Sequence, residues 1–292
     1  IASCTDAEVI GAPFYLMEHV PGVILRTRAD TAGLTDAQCA ALSERLADML
    51  AAIHAVDVQA VGLGDLGRGA GYLRRQLDRW QRQWDLSVTR ELPEYARLVE
   101  RLTAALPAEG DVTLVHGDFR LDNALVTLSP EPAIAAVVDW EMATLGDPLA
   151  DLGLTLVYWT EAGEDGWLSP QATETGEAGA ATEAGAATEA GAAGARDGAR
   201  PVRVRALTAD ATARSGFATR AGFTAGYALR TGRDVSRIGY YVAFGYFKLA
   251  VVLEGINARY QLGQTVGEGF DQEGLAVPVL IERAHQVLDT DM

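Results

Sequence analysis

The stretch from Val112 to Asp139 constrains the fold more than any other part of the sequence. Three short β-prone runs, Val112-Thr113-Leu114-Val115, Ala124-Leu125-Val126 and Ile134-Ala135-Ala136-Val137-Val138, are separated by loops rich in Gly, Asp and Pro. Strand, loop, strand, turn, strand is the order they predict. The first loop, His116-Gly117-Asp118-Phe119-Arg120-Leu121-Asp122-Asn123, is polar and held between two apolar runs.

Around this region the apolar period becomes helical. Thr35-Asp36-Ala37-Gln38 resembles a capping box, and Leu42, Leu46, Met49, Leu50 and Ile53 predict an amphipathic helix ending near His54. Further helices are predicted over about 71–86, with Leu73, Leu77, Trp80 and Trp84 on the apolar side, and about 93–106. Asp147 as N-cap with Pro148 at the first helical position starts another, running to about Thr160. Helical patterning returns over about 219–229, 235–262 and 275–288. Near the N-terminus, the run from Ala12 to Val20 stopped by Pro21-Gly22 reads as a strand entering a turn. The fold class that follows is α+β, with few short strands among many helices.

From Gln171 to about Arg200 a unit close to Thr-Glu-Ala-Gly-Ala-Ala repeats without a large apolar residue, which predicts a disordered or loosely helical insertion. Gly62-Leu63-Gly64-Asp65-Leu66-Gly67 spells a nucleotide-binding glycine pattern, but it follows a helix and lacks the strand-to-helix setting, so it reads as a helix-to-helix connection. The net charge of -16, with basic residues scattered, argues against a nucleic-acid partner. Cys4 and Cys39 supply neither a disulfide framework nor metal-ligand spacing, which fits a reducing cytoplasm. The most apolar stretch, Ile238 to Ile256, is interrupted by Lys248 and Glu254, so no membrane association is expected. The chain begins with Ile rather than Met, which points to a fragment, and Lys248 is its only lysine.

Chemistry concentrates in three places. Asp118 and Asn123 stand five apart in the polar loop. In kinase-type phosphoryl transfer a loop Asp accepts the proton of the attacking hydroxyl, and an Asn five residues on reaches a Mg²⁺ that neutralises phosphate charge. Asp139, at the end of an apolar strand, projects a hard oxygen ligand of the kind Mg²⁺ takes, and Glu141 joins the metal shell or a contact behind it. Asp151, one turn into its helix, would be a costly buried charge without partners and is expected to hold the backbone around His116 and Gly117. His116 is expected to shape the loop rather than transfer a proton.

His-Gly-Asp at 116 to 118, Asn123, Asp-Trp-Glu at 139 to 141 and Gly-Asp-Pro at 146 to 148 together resemble the aminoglycoside-phosphotransferase-like small-molecule kinases. Gly71 to Leu77 and Tyr241 to Arg259 resemble the branch of kinase-like domains attached to some acyl-CoA dehydrogenases. The resemblance implies a protein-kinase-like fold, ATP and Mg²⁺ as cofactors, and transfer of the γ-phosphate to a hydroxyl of a small molecule. It also implies that Phe14 to Val20 is the hinge between lobes, with the backbone of Glu18 and Val20 on adenine and Met17 walling the pocket. Residues 1–22 would then be a remnant of the N-lobe and hinge, and 23–292 a helical C-lobe interrupted by the insertion at about 171–200.

The Gly-rich loop, strand lysine and helix Glu of such kinases do not precede the hinge, and Lys248 lies far beyond the catalytic loop in sequence. The alternative is therefore a non-catalytic nucleotide-binding module or an inactive fragment, and the chain alone is expected to turn over ATP poorly. For the acceptor, Lys248 and Arg259 are eleven apart, about three helical turns, with Tyr241 on the same face. That face suits an anionic or acyl-bearing hydroxyl compound, such as a hydroxy acid; pairing of Lys248 and Arg259 with structural acids is the other reading.

Overall fold

The computed structural model describes residues 2–164, 210–264 and 273–290, so the repetitive stretch from Gln171 to Arg200 lies outside the described residues. The chain opens with β1 (Ala2–Cys4) paired antiparallel to β2 (Phe14–Leu16), and then forms a short helix α1 (Arg28–Thr31). Helices α2 (Asp36–His54), α3 (Tyr72–Ser87) and α4 (Pro93–Ala104) follow. The strands β3 (Thr113–Val115), β4 (Ala124–Thr127), β5 (Ala133–Val137) and β6 (Thr144–Gly146) come next. Helices α5 (Pro148–Tyr158), α6 (Arg220–Thr231), α7 (Ile238–Gln261) and α8 (Ala276–Thr290) complete the described fold.

Local chemistry accounts for the helix starts. At α2 the Thr35 hydroxyl accepts the Gln38 amide at 3.2 Å while the Gln38 side chain accepts the Thr35 amide at 2.9 Å, the reciprocal capping expected from the sequence. Asp147 caps α5 by accepting the Leu149 amide at 2.9 Å, with Pro148 where no amide hydrogen is needed. The Gly62 to Gly67 stretch forms turns between α2 and α3, as a connection should.

The β runs differ from a single sheet. Strand β3 pairs antiparallel with β6, whereas β4 pairs antiparallel with β5, so the polar loop bridges two separate strand pairs. Thr144-Leu145-Gly146 is too short to show a period, which is why β6 is not legible in the sequence. The N-terminal strand is also shorter than expected: only Phe14–Leu16 is strand, and its partner β1 carried no signal of its own. After it, Val23 bridges to Val126 in β4, with reciprocal backbone hydrogen bonds of 2.9 Å, tying the segment beyond Val20 to the strand that follows Asn123.

Two apolar cores meet at α5. One joins α3, α4, α7 and α8 around Leu77, Trp84, Leu98, Phe247 and Leu253; the other joins α2, β3, β4 and α6 around Leu42, Leu50, Phe119 and Phe223. Leu154 and Val157 of α5 belong to the first, and Leu152 and Leu156 to the second. A helix that gives apolar side chains to both sides is buried between them. It can sit so deep because Gly153 lets α7 approach: a Cβ there would lie 2.6 Å from the Tyr241 carbonyl group.

Gly153→Ala is therefore expected to force α5 and α7 apart and to cost about 1–3 kcal/mol of stability, as overpacking of a close-packed core does. Urea unfolding measures it; an unchanged midpoint would mean that the helices can separate freely.

Candidate active site

The polar loop is pinned from beneath by α5. Asp151 is 2% exposed, and its carboxylate accepts the amides of His116 at 2.7 Å and Gly117 at 2.8 Å. His54 of α2 contacts the same carboxylate through Nε2 at 3.2 Å and meets the Tyr227 hydroxyl through Nδ1 at 2.7 Å. Burial pushes the Asp151 carboxyl up, but the hydrogen bond and charge of His54, with the two loop amides, outweigh burial and hold its pKa below the ordinary carboxylate value. His54 and Tyr227 had no motif to announce them; a histidine at the end of an amphipathic helix reads as ordinary core.

His116 ties the loop to the end of β5. Its Nε2 lies 3.0 Å from the Val138 carbonyl, and its Nδ1 is 3.3 Å from the Asp118 amide. Because one partner only accepts and the other only donates, the ring hydrogen sits on Nε2. Trp140, exposed, lies against the ring with centroids 4.6 Å apart.

Asp118 and Asn123 meet directly. The Asn123 amide nitrogen donates to the Asp118 carboxylate at 3.0 Å and to the Asp118 carbonyl at 2.9 Å. Both partners are oxygens, so the orientation of the amide is decided, and its own carbonyl oxygen accepts no hydrogen bond among the described residues. Asn123 is also bonded to the neighbouring strand, its backbone carbonyl accepting the Val138 amide at 2.9 Å. This brings Asp139, the next residue, to the same end of the β4–β5 pair. Asp139 has φ 67°, the one positive value at a non-glycine position among the described residues, and its exposed carboxylate has no hydrogen bond or ion pair among them. Such a backbone costs on the order of 1–3 kcal/mol and is less costly for Asp than for most residues.

Among the described residues no group of three or more His, Cys, Asp or Glu is placed to hold a metal. The unengaged donors here are one amide oxygen and one carboxylate. That set fits Mg²⁺, which prefers hard oxygen ligands and takes few of them from the protein. Glu141 lies exposed in the turn after Asp139.

The loop's outer half makes its own network. Arg120 pairs with Asp122, which also lies 3.6 Å from Arg26, and the Arg120 guanidinium sits 4.2 Å over the Tyr158 ring. Burial opposes the Arg120 cation, but hydrogen bonding to Asp122 raises its pKa overall. The Tyr158 phenol, pushed up by burial and by the Asp118 charge, hydrogen-bonds toward Asp118 and Arg120. Tyr158 ends α5 and was indistinguishable in the sequence from any aromatic core residue.

The proposed acceptor face is corrected. Tyr241 is buried, and its hydroxyl donates to Asp147 at 3.0 Å, so it fastens α7 to the start of α5. Arg259 is exposed near the end of α7, about 16 Å along the axis from Lys248. Lys248, remote in sequence, is not remote in space: its Nζ donates to the Gly117 carbonyl at 2.8 Å. The three residues therefore do not form one site. Met17 is 59% exposed and Glu18 is exposed, with Val20 half-buried.

Comparison with known proteins gives the family and the fold. The family model described as "Phosphotransferase enzyme family" matches residues 1–187. Acyl-CoA dehydrogenase family member 10 of Mus musculus is 30% identical over 284 residues, covering 96% of this chain and 23% of that protein. Acyl-CoA dehydrogenase family member 11 of Homo sapiens is 39% identical over 161 residues, covering 54% of this chain and 20% of that protein. The chain thus spans less than a quarter of the length of these curated relatives. Among solved structures, a Ralstonia eutropha protein provisionally assigned as an aminoglycoside phosphotransferase superposes with a TM-score of 0.74 at 29% identity, covering 99% of this chain and 77% of that one. Plasmodium vivax ethanolamine kinase, at 9% identity and a TM-score of 0.52 over 94% of this chain and 65% of that one, shares the fold alone. The helical body with few strands is that of protein-kinase-like phosphotransferases.

Removing the carboxylate that pins the loop should be costly, since two buried amides and His54 lose their partner. Asp151→Ala is expected to destabilise the protein by about 3–5 kcal/mol, and Asp151→Asn by less because one acceptor oxygen remains. Since the folded pKa is depressed, this stabilisation is present above the unfolded value of about 3.9 and disappears as pH falls through the lower folded value. The gap between wild type and variant in urea unfolding should therefore be full at pH 7 and begin to narrow as pH falls below about 4; a gap independent of pH would contradict the assignment.

Proposed function

The chain belongs to the phosphotransferase enzyme family, and from that premise we propose that it moves the γ-phosphate of ATP to a hydroxyl of a small molecule, with Asp118 as the base. The observation that carries this reading is the posture of Asn123: its amide nitrogen is committed to Asp118, while its carbonyl oxygen and the Asp139 carboxylate are left unengaged at the same end of one strand pair. A single side chain thereby joins the base to the ligand set.

Asn123 and Asp139 would hold Mg²⁺, which when bound supplies neutralisation of phosphate charge. Asp118, oriented by Asn123 and by Tyr158, accepts the proton of the acceptor hydroxyl as its oxygen bonds to phosphorus, and such general-base help is worth about 10²–10⁴-fold. His116 and Asp151 act through the backbone: they keep the loop from turning Asp118 away. The backbone around Glu18 and Val20, tied to β4 through Val23, is the segment proposed to receive adenine.

For the acceptor we propose a hydroxy acid or hydroxyacyl compound. What supports it is kinship with proteins named acyl-CoA dehydrogenase family members, since Tyr241 and Arg259 no longer argue for it. The net charge of -16 supports a small molecule over a nucleic acid, and no helix among the described residues is long and apolar enough to cross a membrane. A cytoplasmic setting is part of the same proposal.

In the full-length protein, Asp118→Asn is expected to lower kcat by about 10²–10⁴-fold, and Asp139→Asn by at least as much because charge neutralisation dominates this transition state. ADP release measured with hydroxy acids, hydroxyacyl compounds and amino sugars as acceptors gives the answer. A near-normal rate in either variant would sink the proposal; turnover with amino sugars alone would sink the acceptor class.

A further inference from the structure

Gly117 is gripped from both sides by groups of opposite charge. Its amide donates to Asp151 and its carbonyl accepts from Lys248, each at 2.8 Å. The residue has φ 82°, and a Cβ there would lie 2.7 Å from the Met142 carbonyl oxygen, so the loop runs through a slot that admits no side chain. The Gly117 carbonyl and the Asp118 amide belong to one planar peptide unit. A group that fixes the carbonyl therefore fixes the plane from which the Asp118 side chain departs.

Resting on the phosphotransfer reading above, we propose that Lys248 is the positioning residue for Asp118, its ammonium setting the Gly117–Asp118 peptide plane and so the direction in which the carboxylate faces the acceptor. Residue choice supports this. The chain has 24 basic residues, and Lys248 is its only lysine. An ammonium is a compact point charge with rotatable donors, whereas a guanidinium is a wide planar fork. The compact cation stands between one carbonyl and the Trp80 ring, whose centroid is 5.7 Å from Nζ and which Arg79 also approaches. Burial works against the charge and Arg79 adds repulsion, while Asp118 and Asp151 favour it. These three charges belong to the loop, its supporting helix and α3.

The role is distinct from that of Asp151. Asp151 holds two amides and removes an unsatisfied burial, so its loss is felt in stability. Lys248 makes one hydrogen bond to one carbonyl, so its loss is felt chiefly in the aim of the carboxylate.

The test is Lys248→Ala in the full-length protein, with Lys248→Met as a second variant that keeps the apolar stem in case the first folds poorly. Both are expected to lose about 10–100-fold in kcat, the scale of a misplacement near 1 Å, with KM for ATP and acceptor within about twofold of wild type. Methylammonium or ethylammonium should restore a saturable part of the rate to Lys248→Ala, and none to Lys248→Met or Asp118→Asn. Amide hydrogen exchange at Gly117 and Asp118 should rise in Lys248→Ala and fall again with the amine. Unchanged kcat, no rescue by either amine, or unchanged exchange would overturn the role. So would a raised KM confined to anionic acceptors with kcat kept, which would make Lys248 an acceptor-binding group. If wild type transfers phosphate to no acceptor, the reaction reading fails, and the exchange experiment still decides the clamp on its own.

Discussion

A carboxylate buried beneath a loop organises this molecule. Asp151 would cost several kcal/mol if left uncompensated in an apolar core, and the fold supplies compensation from three directions: the His116 amide, the Gly117 amide and the His54 ring. Two of the donors are neighbours in the loop and the third stands on α2, so satisfying one charge joins α2, α5 and the loop. The arrangement also explains the depth of α5. Asp147 caps its first turn and Tyr158 at its end reaches Asp118 and Arg120; between them Asp151 and Thr155 turn polar atoms to the loop, while Leu152, Leu154, Leu156 and Val157 divide two cores.

The same logic of one group serving two neighbours recurs above the loop. Asn123 sits at the join between loop and strand, where its backbone carbonyl continues the ladder to Val138 and its side chain turns back to Asp118. A residue of either purely strand or purely loop character could not do both. Asp139 then departs from the ladder with φ 67°. An extended conformation at that point would have continued β5, and the strained one takes the carboxylate off the strand's course instead. Strain at an exposed, unpaired carboxylate makes physical sense when the conformation serves something other than stability.

Legibility from sequence followed physical range. The helices were readable because each carries its own period and caps; α2, α3, α4 and α5 begin within a residue of where Thr35, Gly71, Pro93 and Asp147 placed them. The three β runs were readable as strands but not as partners, since β3 finds β6 and β4 finds β5, and a three-residue strand such as Thr144–Gly146 has no pattern to detect. Asp118, Asn123, Asp139 and Asp151 stood out because polar residues interrupt apolar runs at fixed spacings. His54, Tyr158 and Tyr227 did not, because a polar tip on a core-facing side chain looks like any other core position until its partner is known.

Helix α7 shows both what periodicity can tell and where it stops. Tyr241, Gly245 and Lys248 lie at i, i+4 and i+7, one face of the helix, as their spacing requires. Their partners are Asp147, the backbone of α5 near Leu154, and the Gly117 carbonyl. The face was therefore real, but it looks inward at α5 and the loop rather than outward at a ligand. Arg259 continues the same spacing and nevertheless drops out, because α5 has only 11 residues and ends before the stripe reaches it. Sequence spacing reports direction around a helix axis; what stands opposite is decided by the length and position of the neighbouring element. It is the close approach of α5 and α7 at the Gly153–Tyr241 contact that brings this lysine to the polar loop.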